Sequence, residues 1–347
     1  MIAFCYPLIA ISMVFSMGSR SIRNPKLGMI CSGIALITNV ILNYCLIFGH
    51  LGFPAMGVKG AAVAIVTPMF ENGEVNYPKL GEIIEFQIAN KTDAIVICGT
   101  TGEAATQSHE EHLATVKASV EFTKKRIPVI AGTGSNDTKH AVMLSNDAER
   151  FGVDGLLMVT PYYNKASQDG LIESYTYIEK RVSTPIILYN VPSRTGVNIK
   201  PETYLELSKL PLINGAKEAS GDISAFAKTV ALCGDNLNFY SGNDDQITVF
   251  TALGAKGVIS VLSNIAPKLT HDIAMLGIEG KTAESAKLQL EYIDLCNALF
   301  CDVNPIPVKA AMCMMGQDVG RCRMPLSPLN EKNEALLRAV LKKHNMI

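Results

Sequence analysis

Eight short apolar runs rich in β-branched residues recur along the chain after Ala61, and this repetition constrains the fold more than any other feature. The runs are Ala62–Thr67, Ala94–Cys98, Pro128–Gly132, Gly155–Thr160, Pro185–Asn190, Ile213–Lys217, Asn238–Ser241 and Gly257–Val261. About 20 to 35 residues separate successive runs, which leaves room for one helix between two strands. Continuous apolar strands suit a parallel sheet covered on its outer face. The pattern therefore predicts an α/β fold, a closed (β/α)8 TIM barrel.

The pattern of apolar residues changes beyond about Gly280. No further strand run occurs there, and helical patterns cover Thr282–Phe300 and Asn333–Lys343, with prolines between them. We therefore expect a catalytic barrel over residues 60–280 and a C-terminal helical domain over residues 281–347.

The segment ahead of the barrel has the composition of a membrane protein. Between Met1 and Val58 the formal charges are Arg20, Arg23 and Lys26 alone. The uncharged runs Ile2–Met17 and Met29–Phe48 approach the roughly 20 residues that a bilayer core requires. Residues 1–59 are thus predicted to be a hydrophobic helical segment able to span a membrane through residues 1–48, with buried soluble helices as the alternative.

Parts of this segment resemble a known transporter family. The stretches Asn39–Gly49 and Gly52–Ala62 resemble a two-helix fragment of the multidrug and toxin extrusion transporters. Such carriers enclose their substrate cavity with many helices, which two spans cannot do. The resemblance therefore favours a fusion or artefact with its junction near Gly60–Ala64. A membrane-associated transporter fragment that carries the barrel as cargo is the competing interpretation.

The overall charge and the cysteines exclude several classes of partner. With 31 basic and 32 acidic residues, the chain has no electrostatic attraction to nucleic acid. None of the 9 cysteines forms a C-x-x-C pair, so reduced and mostly buried thiols are expected. A small-molecule substrate is the better expectation, and the enzyme domain is expected in the cytoplasm.

Hydroxyl, phenol, amine and guanidinium groups follow the predicted strands at their C-terminal ends, where barrel chemistry collects. These positions are Gly99-Thr-Thr-Gly-Glu103, Thr160-Pro-Tyr-Tyr-Asn164, Tyr189–Gly196, Lys217 and Ser241–Asp244. No His or carboxylate cluster has metal-ligand spacing. We therefore expect neither a metal nor another cofactor.

Lys217 is the predicted nucleophile. A lysine at the end of a barrel strand lies in a desolvated pocket that disfavours its ammonium form, so its amine can attack a ketone and form an imine. A salt bridge with Glu218 is the ordinary alternative. The proton shuttle that an imine needs is available in Tyr189, Thr100 and Tyr163, although each alone is more often structural. Arg194 offers a fork for a substrate carboxylate, unless it is a plain surface arginine.

Together these motifs resemble the dihydrodipicolinate synthase family from Gly60 to the C-terminus. The resemblance implies that Lys217 forms an imine with pyruvate, that Tyr189 moves protons and that Thr100 with Tyr163 completes a relay. Thr101, Gly242 and Ile259 match pyruvate-pocket positions. The enamine would then attack L-aspartate 4-semialdehyde, held by Arg194, to give 4-hydroxy-tetrahydrodipicolinate for lysine and diaminopimelate biosynthesis.

Related lyases share the barrel and the imine lysine, notably N-acetylneuraminate lyase and the keto-deoxy sugar acid aldolases. The double threonine of Gly99–Gly102 and the arginine of Val191–Thr195 resemble the synthase more than those enzymes. The resemblance thus favours the synthase, with a sugar-acid aldolase as the alternative.

The resemblance also implies assembly and regulation. The resemblance implies a homotetramer built as a dimer of dimers. In this assembly Tyr163 would act in the active site of the neighbouring subunit. Lysine inhibition would use positions that match His109, His112, Asn136 and Tyr162. His140 departs from the pattern, because lysine-sensitive relatives usually carry an acid there, and both helix histidines could instead lie on a solvated face.

Overall fold

Eight parallel strands close into a barrel in chain order within residues 59–347, the part of the chain that this computed structural model describes. The strands are β1 (Gly60–Ala64), β2 (Ala94–Ile97), β3 (Val129–Gly132), β4 (Gly155–Val159), β5 (Ile186–Asn190), β6 (Ile213–Glu218), β7 (Asn238–Ser241) and β8 (Gly257–Ser260). Each predicted run overlaps one strand, so the predicted barrel is confirmed. The ends differ by a few residues, and β6 continues one residue beyond Lys217.

Helices follow the strands and form the outer layer and the C-terminal segment. Those of the barrel region are α1 (Tyr77–Ala89), α2 (His109–Thr123), α3 (Thr138–Glu149), α4 (Gln168–Glu179), α5 (Pro192–Thr195), α6 (Pro201–Leu207), α7 (Ile223–Cys233), α8 (Ile247–Ala252) and α9 (Pro267–Ile278). The later ones are α10 (Thr282–Glu291), α11 (Ile293–Ala298), α12 (Ile306–Met314) and α13 (Glu331–Lys343). Single 3₁₀ turns lie at Ala104–Thr106, Gly234–Asn236, Asp244–Gln246 and Leu262–Asn264.

Two hydrophobic cores lie on the two sides of the strands. Successive side chains of a strand point to opposite faces. On β5, Ile187 and Tyr189 join the cluster inside the barrel, whereas Ile186 and Leu188 join the cluster between the strands and the helices. This arrangement explains why the strand sequences are apolar on both faces.

Closure of the barrel depends on a glycine. Strand β1 pairs with β2 on one side and with β8 on the other. Gly257 at the start of β8 has φ 152°, and a Cβ atom there would lie 1.8 Å from the carbonyl oxygen of Gly60. Only glycine permits so close an approach of two strands.

The C-terminal segment is helical as predicted, with one difference. The pattern over Thr282–Phe300 forms two helices, because the backbone leaves helical geometry at Tyr292, with φ −110° and ψ 16°. The last helix ends beside Asp294, whose carboxylate accepts from Lys343 Nζ at 2.7 Å and lies 2.9 Å from His344 Nε2. Burial acts to raise the pKa of Asp294, but the bonds from Lys343 and His344 outweigh it and lower the pKa to about 2.

None of the helices between residues 59 and 347 is long and apolar enough to cross a bilayer. The predicted runs Ile2–Met17 and Met29–Phe48 and the basic residues between them lie outside the described residues. The same holds for the transporter-like stretches up to Val58, whereas their last residues, Gly60–Ala62, belong to β1.

Candidate active site

Lys217 lies inside the barrel between two tyrosines. In the sheet register its neighbours are Tyr189 on β5 and Tyr240 on β7. Its side chain faces the interior cluster, the residue is only 5% exposed, and Nζ lies 4.5 Å from the centroid of the Tyr189 ring. Burial removes most of the water from this amine, which is the condition for a nucleophilic lysine. The neighbour Tyr240 was not predicted as a site residue.

Glu218 does not form the salt bridge with Lys217 that was the alternative interpretation. Its buried carboxylate accepts from Asn190 Nδ2 at 3.0 and 3.1 Å, from Tyr204 Oη at 2.8 Å and from Ser220 N at 2.7 Å. Burial and the charge of Glu218 raise the pKa of Tyr204 well above its usual value. This network ties β5 to β6 directly behind Tyr189 and Lys217, and sequence analysis missed it.

The turn after β2 carries both predicted threonines. Thr100 lines a cleft of about 570 Å³ together with Tyr189. Thr101 is buried, and its Oγ1 accepts a hydrogen bond from Asn304 Nδ2 at 3.0 Å. The structure thus brings Thr100 and Tyr189 to one cavity, as the relay requires.

Arg194 lies on α5, a single helical turn. Pro192 begins this helix, and Gly196 ends it in the left-handed conformation with φ 71°. Arg194 is exposed and lines the same cleft, and its Nη2 donates to the carbonyl oxygen of Asn304 at 3.1 Å. Asn304 therefore holds the Arg194 guanidinium at Nη2, and the other guanidinium nitrogens lie at the cleft wall.

Asn304 connects two predicted site residues, although sequence analysis did not select it. It precedes α12 and contacts both Thr101 and Arg194. Its own Oδ1 is buried without a partner. The Asn304-Pro-Ile-Pro307 string was the available signal, because an asparagine held between a loop and a proline-started helix is a common anchor.

Gly242 follows β7, and Ile259 lies on β8. The Gly242 N–H donates to the carbonyl oxygen of Glu218 at 2.8 Å, and a Cβ atom would lie 2.5 Å from the Ala219 Cβ. Ile259 is 1% exposed and belongs to the interior cluster that contains Tyr189. The part of both residues in a pyruvate pocket stays a prediction.

Tyr163 is the predicted relay member that the structure does not bring to the cleft within one chain. Its side chain is 91% exposed, and its backbone has φ 74°, in the left-handed region. The strain of this conformation for a tyrosine indicates that the loop holds it in place. Its action in a neighbouring subunit's site stays a prediction.

The predicted lysine-binding residues surround the outer part of the cleft. His109, His112 and Tyr162 line it, and the carbonyl oxygen of Asn136 accepts from Asn164 Nδ2 at 2.9 Å. The solvated-face interpretation is wrong for His112, which is 6% exposed. Burial lowers the pKa of His112 to about 4, although a bond with the Gly132 backbone opposes the shift.

Two histidine ring nitrogens in this region have no partner. They are His109 Nδ1 and His112 Nε2, both buried. The other nitrogen of His109 lies 3.3 Å from Asp147 Oδ2, and the His140 ring lies 5.9 Å from the His109 ring. Within residues 59–347 no group of three His, Cys, Asp or Glu side chains is arranged to hold a metal ion.

A closed (β/α)8 barrel with a buried lysine near the C-terminal end of a strand defines a lyase of the class I aldolase type. The sequence pattern described as the Dihydrodipicolinate synthetase family matches residues 57–344. The chain therefore belongs to the dihydrodipicolinate synthetase family.

Individual relatives agree over the same region. The chain is 52% identical to the 4-hydroxy-tetrahydrodipicolinate synthase of Acetivibrio thermocellus over 288 residues, which is 83% of this chain and 98% of the relative. It is 53% identical to that of Lachnoclostridium phytofermentans over 289 residues, or 83% of this chain and 98% of the relative.

Solved structures match as well. A chloride-inhibited dihydrodipicolinate synthase from Acinetobacter baumannii, complexed with pyruvate, superposes with a TM-score of 0.82 at 42% identity, covering 84% of this chain and 100% of that one. The enzyme from Cyanidioschyzon merolae with lysine bound gives 0.81 at 33% identity, covering 84% and 99%.

Proposed function

We propose that this chain condenses pyruvate with L-aspartate 4-semialdehyde to give 4-hydroxy-tetrahydrodipicolinate, with Lys217 as the covalent nucleophile. The observation that carries the assignment is the buried amine of Lys217 beside the Tyr189 ring. The amine attacks the ketone of pyruvate and expels water to form a protonated imine. Loss of a methyl proton then gives an enamine.

The enamine carbon attacks the aldehyde, and the new alkoxide takes up a proton. The amino group of the semialdehyde then attacks the imine carbon, which closes the ring and releases the Lys217 amine. One water is lost overall, in the imine step. Tyr189, whose ring centroid lies 4.5 Å from Lys217 Nζ, carries these protons, and Thr100 and Tyr163 extend the relay.

The remaining residues hold the substrates. Thr101, Gly242 and Ile259 form the pyruvate pocket, an assignment supported by the burial of the Thr101 side chain and by the place of Ile259 in the interior cluster with Tyr189. Arg194 binds the carboxylate of the semialdehyde, because its exposed fork lies at the cleft wall. This clamp favours the semialdehyde over the sugar acids that related aldolases use.

Borohydride reduction with pyruvate, followed by peptide mass mapping, tests the central claim. We expect a stable pyruvate-derived mass addition on the peptide that contains Lys217, and none in Lys217→Ala. Lys165→Ala, which removes an exposed lysine from the rim loop after β4, is the matched control and should trap pyruvate like the parent. A mass shift that persists in Lys217→Ala would remove the imine assignment.

Assembly is the second part of the proposal. We infer a homotetramer, a dimer of dimers, in which the exposed Tyr163 enters the neighbour's cleft. Lysine would bind to His109, His112, Asn136 and Tyr162, close to the partnerless ring nitrogens of the two histidines. The histidine at position 140 offers no carboxylate to the amine of lysine, so the inhibition is expected to be weak.

A further inference from the structure

A fully buried ion pair joins the C-terminal helix α12 to the turn after β2. Lys309 Nζ lies 2.8 Å from Glu103 Oε1, and both side chains are 2% exposed. The two residues are separated by 206 positions in the sequence. The contact is therefore a long-range link between the helical segment and the turn that carries Thr100 and Thr101.

Every polar group of this pair has a partner. Lys309 Nζ also donates to the carbonyl oxygens of Thr67 at 3.2 Å and Arg321 at 2.9 Å. The second oxygen of Glu103 accepts from Arg323 N at 2.8 Å. A buried ion pair contributes little net stability compared with apolar residues of similar volume, because both ions lose their hydration. The role of this ion pair is therefore better explained by the fixed geometry that it imposes than by a contribution to stability.

Glu103 is itself part of the threonine turn. Its backbone has φ 56°, a left-handed conformation that is unfavourable for glutamate, and its N–H donates to the carbonyl oxygen of Thr100 at 3.1 Å. The preceding Gly102 carbonyl oxygen accepts from Thr67 Oγ1 at 2.8 Å and from Gln107 Nε2 at 2.9 Å. Anchoring the Glu103 carboxylate therefore fixes the turn that ends with it.

The same part of the chain touches this turn a second time. Asn304, just before α12, donates to Thr101 Oγ1. Two contacts, at Thr101 and at Glu103, prevent the turn from pivoting about either one. A hydroxyl displaced by about 1 Å can lower a rate by up to a hundredfold, so such a restraint has catalytic value.

We propose that Glu103 and Lys309 are positioning residues, which hold Thr100 and Thr101 where they meet Tyr189 and pyruvate. The proposal rests on the roles given above to the two threonines. It makes the C-terminal segment part of the active site, through an ion pair whose glutamate lies at the wall of the cleft and whose carboxylate is held by Lys309.

The test measures kcat per borohydride-trapped active site and the KM for pyruvate, together with the melting temperature of each variant. Glu103→Gln keeps the side-chain shape but removes the charge. Borohydride trapping should still map to Lys217, while the KM for pyruvate rises and kcat per trapped site falls, each by about tenfold. Asp294→Asn is the matched control, because Asp294 forms ion pairs with Lys343 and His344 inside the same C-terminal segment, away from the turn. It should lower the melting temperature and leave both kinetic constants unchanged.

The double variant Glu103→Gln/Lys309→Met separates positioning from stability. Without an unpaired buried charge its melting temperature should return toward that of the parent, yet the altered KM should remain. Parental kinetics per trapped site in both variants would overturn the proposal. Should Glu103→Gln not fold, the double variant alone carries the test, and parental kinetics per trapped site in that variant would overturn the proposal equally. Absence of trapping at Lys217 in the parent would instead refute the proposed function.

Discussion

Tyr189 and Lys217 lie directly opposite each other in the β5–β6 register, which places the tyrosine ring beside the amine of the proposed nucleophile. The residue types and their positions at strand ends could be predicted from the sequence. The partners that hold them could not, because Asn190, Tyr204 and Glu218 meet only when two strands and a helix are packed together.

Replacing Tyr189 by Phe tests the phenol. The ring that packs near Lys217 remains, so pyruvate trapping should persist. Turnover should fall by about two to four powers of ten, because the acid–base group is lost. Steady-state kinetics beside borohydride trapping measure the two effects. Tyr177→Phe, an exposed tyrosine on α4, serves as the control, and parental turnover in Tyr189→Phe would exclude the relay.

Replacing Arg194 by Ala tests the carboxylate clamp. The KM for the semialdehyde should rise by about tenfold or more, the value expected when a charged hydrogen bond is lost. Trapping of pyruvate should not change. Arg150→Ala, on an arginine whose side chain is 76% exposed, should leave both unaffected. An unchanged response to the semialdehyde would count against the clamp.

Among the secondary-structure elements, the strands were the most predictable. Each has an apolar run with β-branched residues, bounded by loops. The break at Tyr292 was not predictable, because the apolar spacing continues through it while the backbone does not. Lys309 was also missed, since a lone lysine in an apolar helix gives no indication of a carboxylate 206 positions away.

Helix α9 is attached to the residue directly before β2 by an ion pair with a predicted pH dependence. His271 Nδ1 lies 2.8 Å from Asp93 Oδ2, which also accepts from Ala61 N at 2.7 Å. The bond with Asp93 raises the pKa of His271 above 6.5, although burial opposes the shift. This stabilisation is therefore fully present below about pH 6.5 and is lost as the pH rises through the folded-state pKa.

Urea unfolding at a series of pH values measures the effect. The free energy of unfolding of the parent should fall as the pH rises above about 6.5 by an amount that is missing in His271→Gln. His140→Gln, on a histidine that forms no ion pair within the described residues, should keep the parental slope. Equal slopes in all three proteins would show that the His271–Asp93 pair does not stabilise the fold.

For the whole molecule, the order of barrel and C-terminal helices was predictable because the motifs follow the strands in sequence. The contribution of the C-terminal segment to the cleft was not, since Asn304, Lys309 and Arg323 meet the β2 turn only in three dimensions.

Removing the residues ahead of Gly60 tests whether they contribute to activity. The contacts described around the cleft all lie within residues 59–347, so the trimmed chain should keep the turnover per trapped site of the full chain. Fractionation without detergent, followed by kinetics on the supernatant, provides the measurement. A trimmed chain that folds and traps pyruvate but has lost turnover would assign those residues a catalytic role.

Asn304, Lys309 and Arg323 lie late in the sequence, so the ribosome adds them after all eight barrel strands. When a ribosome has completed the eighth strand, the nascent chain already contains the reactive lysine and its neighbouring tyrosine. At that moment the threonine turn still lacks the groups that restrain it. These are the side chains of Asn304 and Lys309 and the backbone N–H of Arg323. Under the proposed roles, the turn is therefore fully restrained only after Arg323 has been added, so the nascent barrel gains its complete active site last.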